Sequence, residues 1–586
     1  MERFNNIYSI FFFALLFIPL NIICQTNQNE MKPVPSLHID KKKDEIKVNG
    51  KLDEETWKKA NTANRFYQNF PADTSYAEIK TEVKMSYDKN NLYLAAICHD
   101  TTKGDNVIQS LKRDFDMNKS DAFILLLGPF RDKTNGFAFY VNPKGARGEA
   151  MIQRGGGFRG TNDAWDNKWF SAVNKLNDKW IVEMRIPFNT LRYKKGQKKW
   201  SANFMRNDQK NNRRSSWSAI PRNFNLTAMP YTGNLLFNSP PENNNANVSL
   251  IPYTIANLNK DFENDKPYGK EIDAGMDAKV AVSPSLNLDL TVNPDFSQVD
   301  VDEQVTNLSR FSIFFPEQRN FFLENKDLFA QFGFSQIRPF FSRKIGLMDT
   351  TNGRSRFAQV PILGGARLSG KINNDWRVGL LNAQTEGTVF NKNDSKTRVA
   401  PQNYTVATFQ RQVMTNSNIA GIFVNRQGFN NTDVNFNDYN RIAGMDFNYT
   451  SNNNKWKGKI FYHHSFSPDI KKRNSAHAVW FMRSDRNWLA MWNHEYVGKN
   501  YKADVGFVPR VTLSNPKTGD IFRKTYFRIE PIVQYKFYQE SSDKINYIKP
   551  GTRLSSYYDK NMNTTERELS TSLEIQFLNS SNLEFN

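Results

Sequence analysis

The chain has 586 residues, too many for one ordinary domain. Hydrophobic residues make up only 39% and aromatics 13%, with 46 Phe and 22 Tyr, which excludes a helical membrane protein and suits a sheet whose alternate residues face lipid. The net charge of +20 comes from Lys and Arg scattered among acids, with no basic stripe interleaved with stacking aromatics; nucleic acid is therefore not an expected partner, and anionic lipid, polysaccharide or simply a solvated surface accounts for the balance.

Residues Ile10 to Cys24 form an apolar run behind Arg3, although Glu2 weakens the positive start. At about 15 residues the run is too short to cross a bilayer as a helix, which takes about 20. It reads as a secretory signal peptide over 1–24, cleaved after Cys24. A lipid-modified Cys24 wants a small residue before it, and Ile23 is not small. No later run is long enough to span as a helix, so membrane residence must come from strands. With two cysteines, Cys24 and Cys98, a disulfide framework and a cysteine zinc site are both excluded. Cys98 follows Leu94-Ala95-Ala96-Ile97 and reads as a small packed hydrophobe.

From 36 to 238 the pattern is of short strands. Glu45 to Gly50 alternates as a strand, and Lys51 to Ala60 has the acidic first turn of a helix. Thr81, Val83, Met85 and Tyr87 alternate with polar neighbours, turn at Asp88 to Asn91, and return over Leu92 to Ile97. Phe123–Leu127, Gly136–Val141, Phe170–Leu176 and Lys179–Ile186 continue the pattern, with Asn177-Asp178 as a tight turn. Many short strands with polar turns predict a β-sandwich. Three motifs stand out: Val48-Asn49-Gly50-Lys51-Leu52-Asp53-Glu54-Glu55-Thr56-Trp57, Tyr87-Asp88-Lys89-Asn90-Asn91-Leu92-Tyr93-Leu94, and Trp180-Ile181-Val182-Glu183-Met184-Arg185-Ile186-Pro187-Phe188. Together they resemble the family 9 carbohydrate-binding module. That resemblance implies a sugar ring clamped between aromatic faces, with polar groups bonding its hydroxyls. Trp165 and Trp169, after the run Gly155-Gly156-Gly157, are the candidate faces, with Asp163 and Asp166 beside them. The alternative is that Trp169 starts a strand and packs inside, as Trp57 and Trp180 are expected to do. Two acids are too few for a calcium site.

From 247 to 586 the alternation lengthens. Ile272, Ala274, Met276, Ala278, Val280 and Val282 alternate with polar or small residues, and after Ser283-Pro284 come Leu286, Leu288, Leu290 and Val292. Such a hairpin, with one apolar and one polar face, is the signature of a transmembrane barrel. It recurs over Ala443–Tyr449, Phe527–Phe537 and Leu569–Phe577, giving about fourteen to seventeen candidate strands. The predicted fold class is all-β: a sandwich over 36–238, then an antiparallel transmembrane β-barrel over 247–586.

Residues 293–329 interrupt the pattern. Asn293-Pro294-Asp295-Phe296-Ser297-Gln298-Val299 and Phe315-Pro316-Glu317-Gln318-Arg319-Asn320-Phe321-Phe322-Leu323-Glu324 resemble a family of outer-membrane barrels that carry an N-terminal family 9 module and an uncharacterised C-terminal region. As a plug in the lumen, the segment would present Asp295, Asp300, Asp302, Glu303, Glu317 and Glu324 to a solute. As a structural loop, it would use Arg310 and Arg319 to pair those acids against the wall. Phe585 is penultimate and the resembled family runs longer, so the barrel is expected to be incomplete at its C-terminus.

Glycoside hydrolysis needs two carboxylates across the scissile bond, and no catalytic domain is left over to house them. The six histidines, at 38, 99, 463, 464, 477 and 494, lack metal-ligand spacing, and His463 and His464 point to opposite faces of a strand. No cofactor is expected. The reading is a carbohydrate-binding outer-membrane protein that captures a glycan with its sandwich and anchors or transports through its barrel. Its expected partners are an oligo- or polysaccharide, outer-membrane lipid and lipopolysaccharide. An envelope glycosidase of carbohydrate catabolism and a non-catalytic structural component are the alternatives.

Overall fold

The structure is a computed structural model. It describes residues 32–586 except 153–154, 157–159, 164, 166, 192, 194–195, 223, 243–247, 261, 263–266, 284, 295–305, 307–310, 350–356, 374, 393–394, 415, 431–432, 469 and 515–520. The expected signal peptide lies outside the described residues.

The N-terminal half contains β1 (Ser36–Ile39), helix α1 (Glu55–Lys59), β2 (Thr62–Ala63), β3 (Tyr67–Phe70), β4 (Thr81–Tyr87), β5 (Asn91–His99), β6 (Ala122–Gly128), β7 (Gly136–Val141), β8 (Arg147–Ile152), β9 (Thr161–Asn162), β10 (Phe170–Lys175), β11 (Lys179–Pro187), β12 (Lys199–Asp208), β13 (Arg213–Ser216) and β14 (Gly233–Phe237). Nine strands form one sheet, β1-β14-β12-β6-β7-β8-β9 with β13 and β3 branching from β12, and five form the other, β10-β11-β5-β4-β2. Val83 and Met85 from one sheet, and Leu125, Leu127 and Trp200 from the other, bury their side chains between the two. Each such burial contributes about 1.5–3 kcal/mol.

The three motifs prove to be joints of this sandwich. Glu183, on β11 and fully buried, accepts backbone hydrogen bonds from Asn49 (2.9 Å) and Gly50 (2.7 Å) and one from Trp57 Nε1 (2.9 Å). Gly50 has φ +79°, and a Cβ there would stand 2.8 Å from Asn174 Cβ, so glycine is required. Asp88 closes its turn by accepting from Asn90 and Asn91 N–H, each 2.7 Å, and from the Tyr93 hydroxyl at 2.9 Å. The strand predicted over 45–50 does not form. Its N–H groups go to side chains, Lys47 to Glu54 and Asn49 and Gly50 to Glu183, rather than to a neighbouring strand.

The C-terminal half contains β15 (Val248–Asn259), β16 (Gly269–Ser283), β17 (Leu286–Val292), β18 (Leu347–Asp349), β19 (Phe357–Gln359), β20 (Ile362–Lys371), β21 (Trp376–Thr385), β22 (Thr388–Lys392), β23 (Ser395–Val399), β24 (Gln402–Val413), β25 (Ser417–Asn430), β26 (Asp433–Thr450), β27 (Trp456–Phe466), β28 (Ser475–Ser484), β29 (Trp488–Val497), β30 (Thr512–Ser514), β31 (Ile521–Arg523), β32 (Tyr526–Tyr535), β33 (Phe537–Tyr538), β34 (Ile545–Tyr558), β35 (Thr564–Phe577) and β36 (Asn582–Phe585). One sixteen-stranded antiparallel sheet runs β15-β16-β17-β20-β21-β24-β25-β26-β27-β28-β29-β32-β34-β35-β36, with β33 beside β34. Among the described residues no pairing joins β15 to β36, so the sheet is open where a closed barrel would have a seam.

Its two faces invert the usual order. On β27, Ile460 and Tyr462 are about half exposed, while Lys459, His463 and Ser465 are buried on the other face together with Phe461. On β17, Asp289 and Thr291 are buried and Leu290 and Val292 exposed. Asp289 stands opposite Arg367 on β20, with Oδ2 to Nη2 at 2.7 Å, and Glu495 on β29 stands opposite Arg528 on β32 at 3.0 Å. Cross-strand ion pairs thus line the covered face.

The segment after β17 covers that face. Helices α2 (Asn320–Leu323) and α3 (Asp327–Ala330) bring Phe321, Phe322, Leu328 and Phe329 against Leu381, Val406, Ile422 and Val424. Polar anchors fix it to the wall. Arg377 Nη1 donates to Asp327 at 2.6 Å, and Gly333 N–H donates to Asp446 at 2.8 Å, with Asp446 also paired to Lys459 and His463. Replacing Glu183 with Ala leaves two buried donors, Gly50 N–H and Trp57 Nε1–H, and the half-covered Asn49 N–H unpaired and should cost the sandwich about 3 kcal/mol. The check is a lowered denaturant midpoint in the fluorescence of the sandwich tryptophans, with Glu183→Gln intermediate.

Candidate glycan-binding face and the seam with the sheet

β7 directs Phe137 and Phe139 into the sandwich interior, and the loop before β10 lays two tryptophans on them. Trp165 lies 4.9 Å from Phe137 and 6.0 Å from Phe139, centroid to centroid, and Trp169 meets Phe139 edge-on at 5.3 Å. Trp169 Nε1 donates to Glu149 Oε2 at 2.9 Å. Glu149 is itself fully buried, paired with Arg113, and accepts the Asn167 N–H at 2.9 Å. Arg147 donates to the Trp169 carbonyl at 2.8 Å and stacks over its ring. Trp165 is 7% exposed and Trp169 1%. The expectation that these rings form a sugar platform is therefore corrected: both belong to the core, and a covered ring offers no face to a pyranose. Asp163 is exposed at the surface, and Asp166 lies outside the described residues.

The structure brings forward an aromatic pair that the sequence reading passed over. Phe66 and Ala77 face the core, so their neighbours Tyr67 and Tyr76 face outward. The hairpin is closed by Ala77 N–H to the Phe66 carbonyl (2.8 Å) and Gln68 N–H to the Ser75 carbonyl (3.0 Å). The two rings stack at 4.8 Å and 27°, with their hydroxyls 3.5 Å apart, and Tyr76 is 54% exposed. Glu78, one residue beyond the hairpin, pairs with Arg213 at 2.6 Å. An exposed ring face flanked by hydroxyl, carboxylate and guanidinium is the chemistry that binds a sugar. The signal was Phe66-Tyr67 beside Tyr76-Ala77, but only the pairing across the hairpin puts the two tyrosines together.

The same hairpin reaches the C-terminal sheet, where Asp73 Oδ1 lies 3.4 Å from Arg486 Nη1. Asp132 and Lys371 make a second contact at 2.7 Å, with Lys371 also over the Phe130 ring. Burial would raise the Asp132 carboxyl, but Lys371 brings it down to about 2, so the carboxylate stays charged at neutral pH. Arg222 bonds Asn546 and stacks on Tyr538 at 4.1 Å, and Asn212 donates to the Leu578 carbonyl. Beside Lys371 a polar cleft opens between Thr134 and Asn135 on the sandwich and Asp375, Arg377 and Gln410 on the sheet.

Of the lumen candidates in 293–329, Glu317, Arg319 and Glu324 are described, and Glu324 accepts from Asn287 Nδ2 at 3.0 Å and pairs with Lys279 at 3.4 Å. Arg319 grips Glu317 through Nε (2.9 Å) and Nη2 (2.8 Å), and the Ser342 hydroxyl donates to the same carboxylate at 2.6 Å. Both charges are spent on each other within the segment rather than offered to a solute, as the structural-loop reading expects. Asp295, Asp300, Asp302, Glu303 and Arg310 lie outside the described residues. Among the described residues no group of three or more His, Cys, Asp or Glu is arranged to hold a metal.

The molecule is thus an all-β protein of two parts, an aromatic-cored sandwich and a sheet with charges inside. Residues 246–585 match the family described as domain of unknown function (DUF5916), and because this is more than half of the chain, the chain belongs to that family. Residues 48–224 match the family described as carbohydrate family 9 binding domain-like. No curated protein matches. Among solved structures, a family 9 carbohydrate-binding module from Caldicellulosiruptor kristjanssonii in complex with cellotriose is 15% identical over 35% of this chain and 93% of that one, with a TM-score of 0.26. A putative carbohydrate-binding protein from Bacteroides uniformis is 14% identical over 35% of this chain and 100% of that one, with a TM-score of 0.28. Acinetobacter baumannii OccAB1 is 7% identical over 89% of this chain and 94% of that one, with a TM-score of 0.22.

Trp165→Ala is expected to cost about 3–5 kcal/mol of sandwich stability, as removal of a buried aromatic does. Near-ultraviolet circular dichroism against denaturant reads this directly; an unchanged midpoint would return Trp165 to the surface.

Proposed function

We propose that this protein is a carbohydrate-binding protein of the outer membrane. Its sandwich takes an oligo- or polysaccharide on the Tyr67–Tyr76 face, and its C-terminal sheet seats it among lipid and lipopolysaccharide. The observation that carries the reading is the contrast between the two halves. The part that matches a family 9 binding domain keeps its large apolar side chains inside, whereas the sheet beside it turns Leu380, Phe423, Met445 and Ile460 outward on one face and buries ion pairs such as Asp289–Arg367 on the other. Exposed apolar area of that extent is unfavourable in water and favourable in lipid. The packed plug supports anchoring rather than open conduction, since Phe and Leu side chains occupy the inner face along β21 to β26.

Two outcomes follow. In the full chain purified in detergent, binding to a panel of oligosaccharides should be present, and Tyr76→Ala should weaken it about tenfold, the scale of one lost stacking contact. A folded protein that binds none of the sugars would leave the sandwich as a protein-docking scaffold. On the lipid side, Ile460→Arg should cost about 2–4 kcal/mol of stability in bilayers. Folding titrations in lipid vesicles measure this, and an effect no larger than that of an exposed sandwich substitution would remove the membrane assignment.

A further inference from the structure

The connections at the two ends of the large sheet differ in length. At one end they span 284–285, 372–375, 414–416, 451–455, 485–487, 536–544 and 578–581. At the other they span 260–268, 293–361, 386–401, 431–432, 467–474, 498–525 and 559–563. Even the two-residue connection 431–432 joins β25 and β26, strands of 14 and 18 residues that are among the longest of the sheet. Bacterial outer-membrane barrels have short turns on the periplasmic side and long loops outside.

Every contact described above between the sandwich and the sheet falls at the short-turn end. Lys371, the partner of Asp132, is the last residue of β20 before 372–375. Arg486, the partner of Asp73, lies within 485–487. Tyr538 and Asn546, which hold Arg222, flank the turn between β33 and β34. Leu578, which accepts from Asn212, lies within 578–581. Chain order agrees, because Val248 at the start of β15 pairs with Val280, close to 284–285, so the chain enters the sheet at the end where the sandwich sits. The contacts include an ion pair with both side chains nearly covered, at 12% and 6% exposure, and a guanidinium stacked on a ring. Such contacts fix the sandwich against the turns; a flexible tether would leave these groups in water.

We infer that the sandwich is docked on the periplasmic side of the outer membrane, so that the carbohydrate it takes is a glycan present between the two membranes. The inference rests on the membrane reading proposed above. The Tyr67–Tyr76 face, carried by the hairpin whose Asp73 touches the sheet, then lies beside the inner mouth, out of reach of polysaccharide outside the cell.

Single-cysteine labelling of the full chain in a Gram-negative host tests this, with little background because Cys98 is buried. Lys58→Cys places a thiol on exposed α1, and Asn437→Cys places one on β26 near the long-loop end. With a membrane-impermeant maleimide on intact cells, Asn437→Cys should label and Lys58→Cys should not, until the outer membrane is permeabilised and its labelling rises at least tenfold. Labelling of Lys58→Cys in intact cells, with Asn437→Cys protected, would reverse the orientation and overturn the inference. Fractionation separates this from failure of the underlying reading: protein recovered in the soluble fraction, with both thiols labelled only after permeabilisation, removes the membrane assignment and the orientation with it.

Discussion

Asp289 and Arg367 face each other across two strands with almost no exposure, while Leu290 and Leu380 near them stand open. In water this arrangement is unfavourable twice over, since charges are desolvated and apolar surface is hydrated. The lipid surround proposed for this face would reverse the second term, and pairing offsets the first. The rest of the sheet obeys the same constraint. Glu495 and Arg528 pair across β29 and β32, and Asp446 collects Lys459, His463 and the Gly333 amide. The covering segment follows from it too, because its phenylalanines need an apolar stretch of sheet and its Asp327 needs Arg377. Gly333 is glycine for this reason: at φ +66° a Cβ would run into the Ile337 carbonyl, and the tight turn is what aims its N–H at Asp446.

The sandwich solves the opposite problem. Two fully buried glutamates, Glu183 and Glu149, each hold a tryptophan indole N–H and at least one loop N–H, so each fastens a loop to the β-framework. This moves the motif residues out of the ligand question. What distinguishes the sandwich chemically is what remains outside, the Tyr67–Tyr76 stack with Glu78 and Arg213 close by. Its position near Asp73 couples the candidate sugar face to the seam, and the cleft beside Lys371 runs along that seam.

Much of this organisation was legible in the sequence, for definable reasons. Period-two alternation is local, so the strands β16, β17, β26 and β35 could be read from it. The opposite facing of His463 and His464 follows from the same rule, and in the structure His463 is fully buried while His464 lies on the other face. Pairings between distant residues could not be read. Nothing near Trp165 announces Phe137 and Phe139 beneath it, and a glycine-rich approach makes a core loop look like a binding loop. Glu149 and Glu183 look like ordinary strand polar residues until their partners, 18 and 134 positions away, arrive. The predicted strand over 45–50 failed because side-chain acceptors replaced the neighbour it needed. The Glu317–Arg319 clamp was within reach, two residues apart in sequence, but the choice between clamp and solute site depends on burial.

The central claim is that the exposed apolar face of the large sheet is the surface that meets lipid. An NBD fluorophore attached at Leu380→Cys, on that face, in full-length protein reconstituted into vesicles, examines it most directly. If lipid covers the face, the emission is blue-shifted and is quenched by lipids brominated along their acyl chains, with little effect of aqueous iodide. Emission as in water, quenched by iodide and indifferent to brominated lipid, would contradict the account.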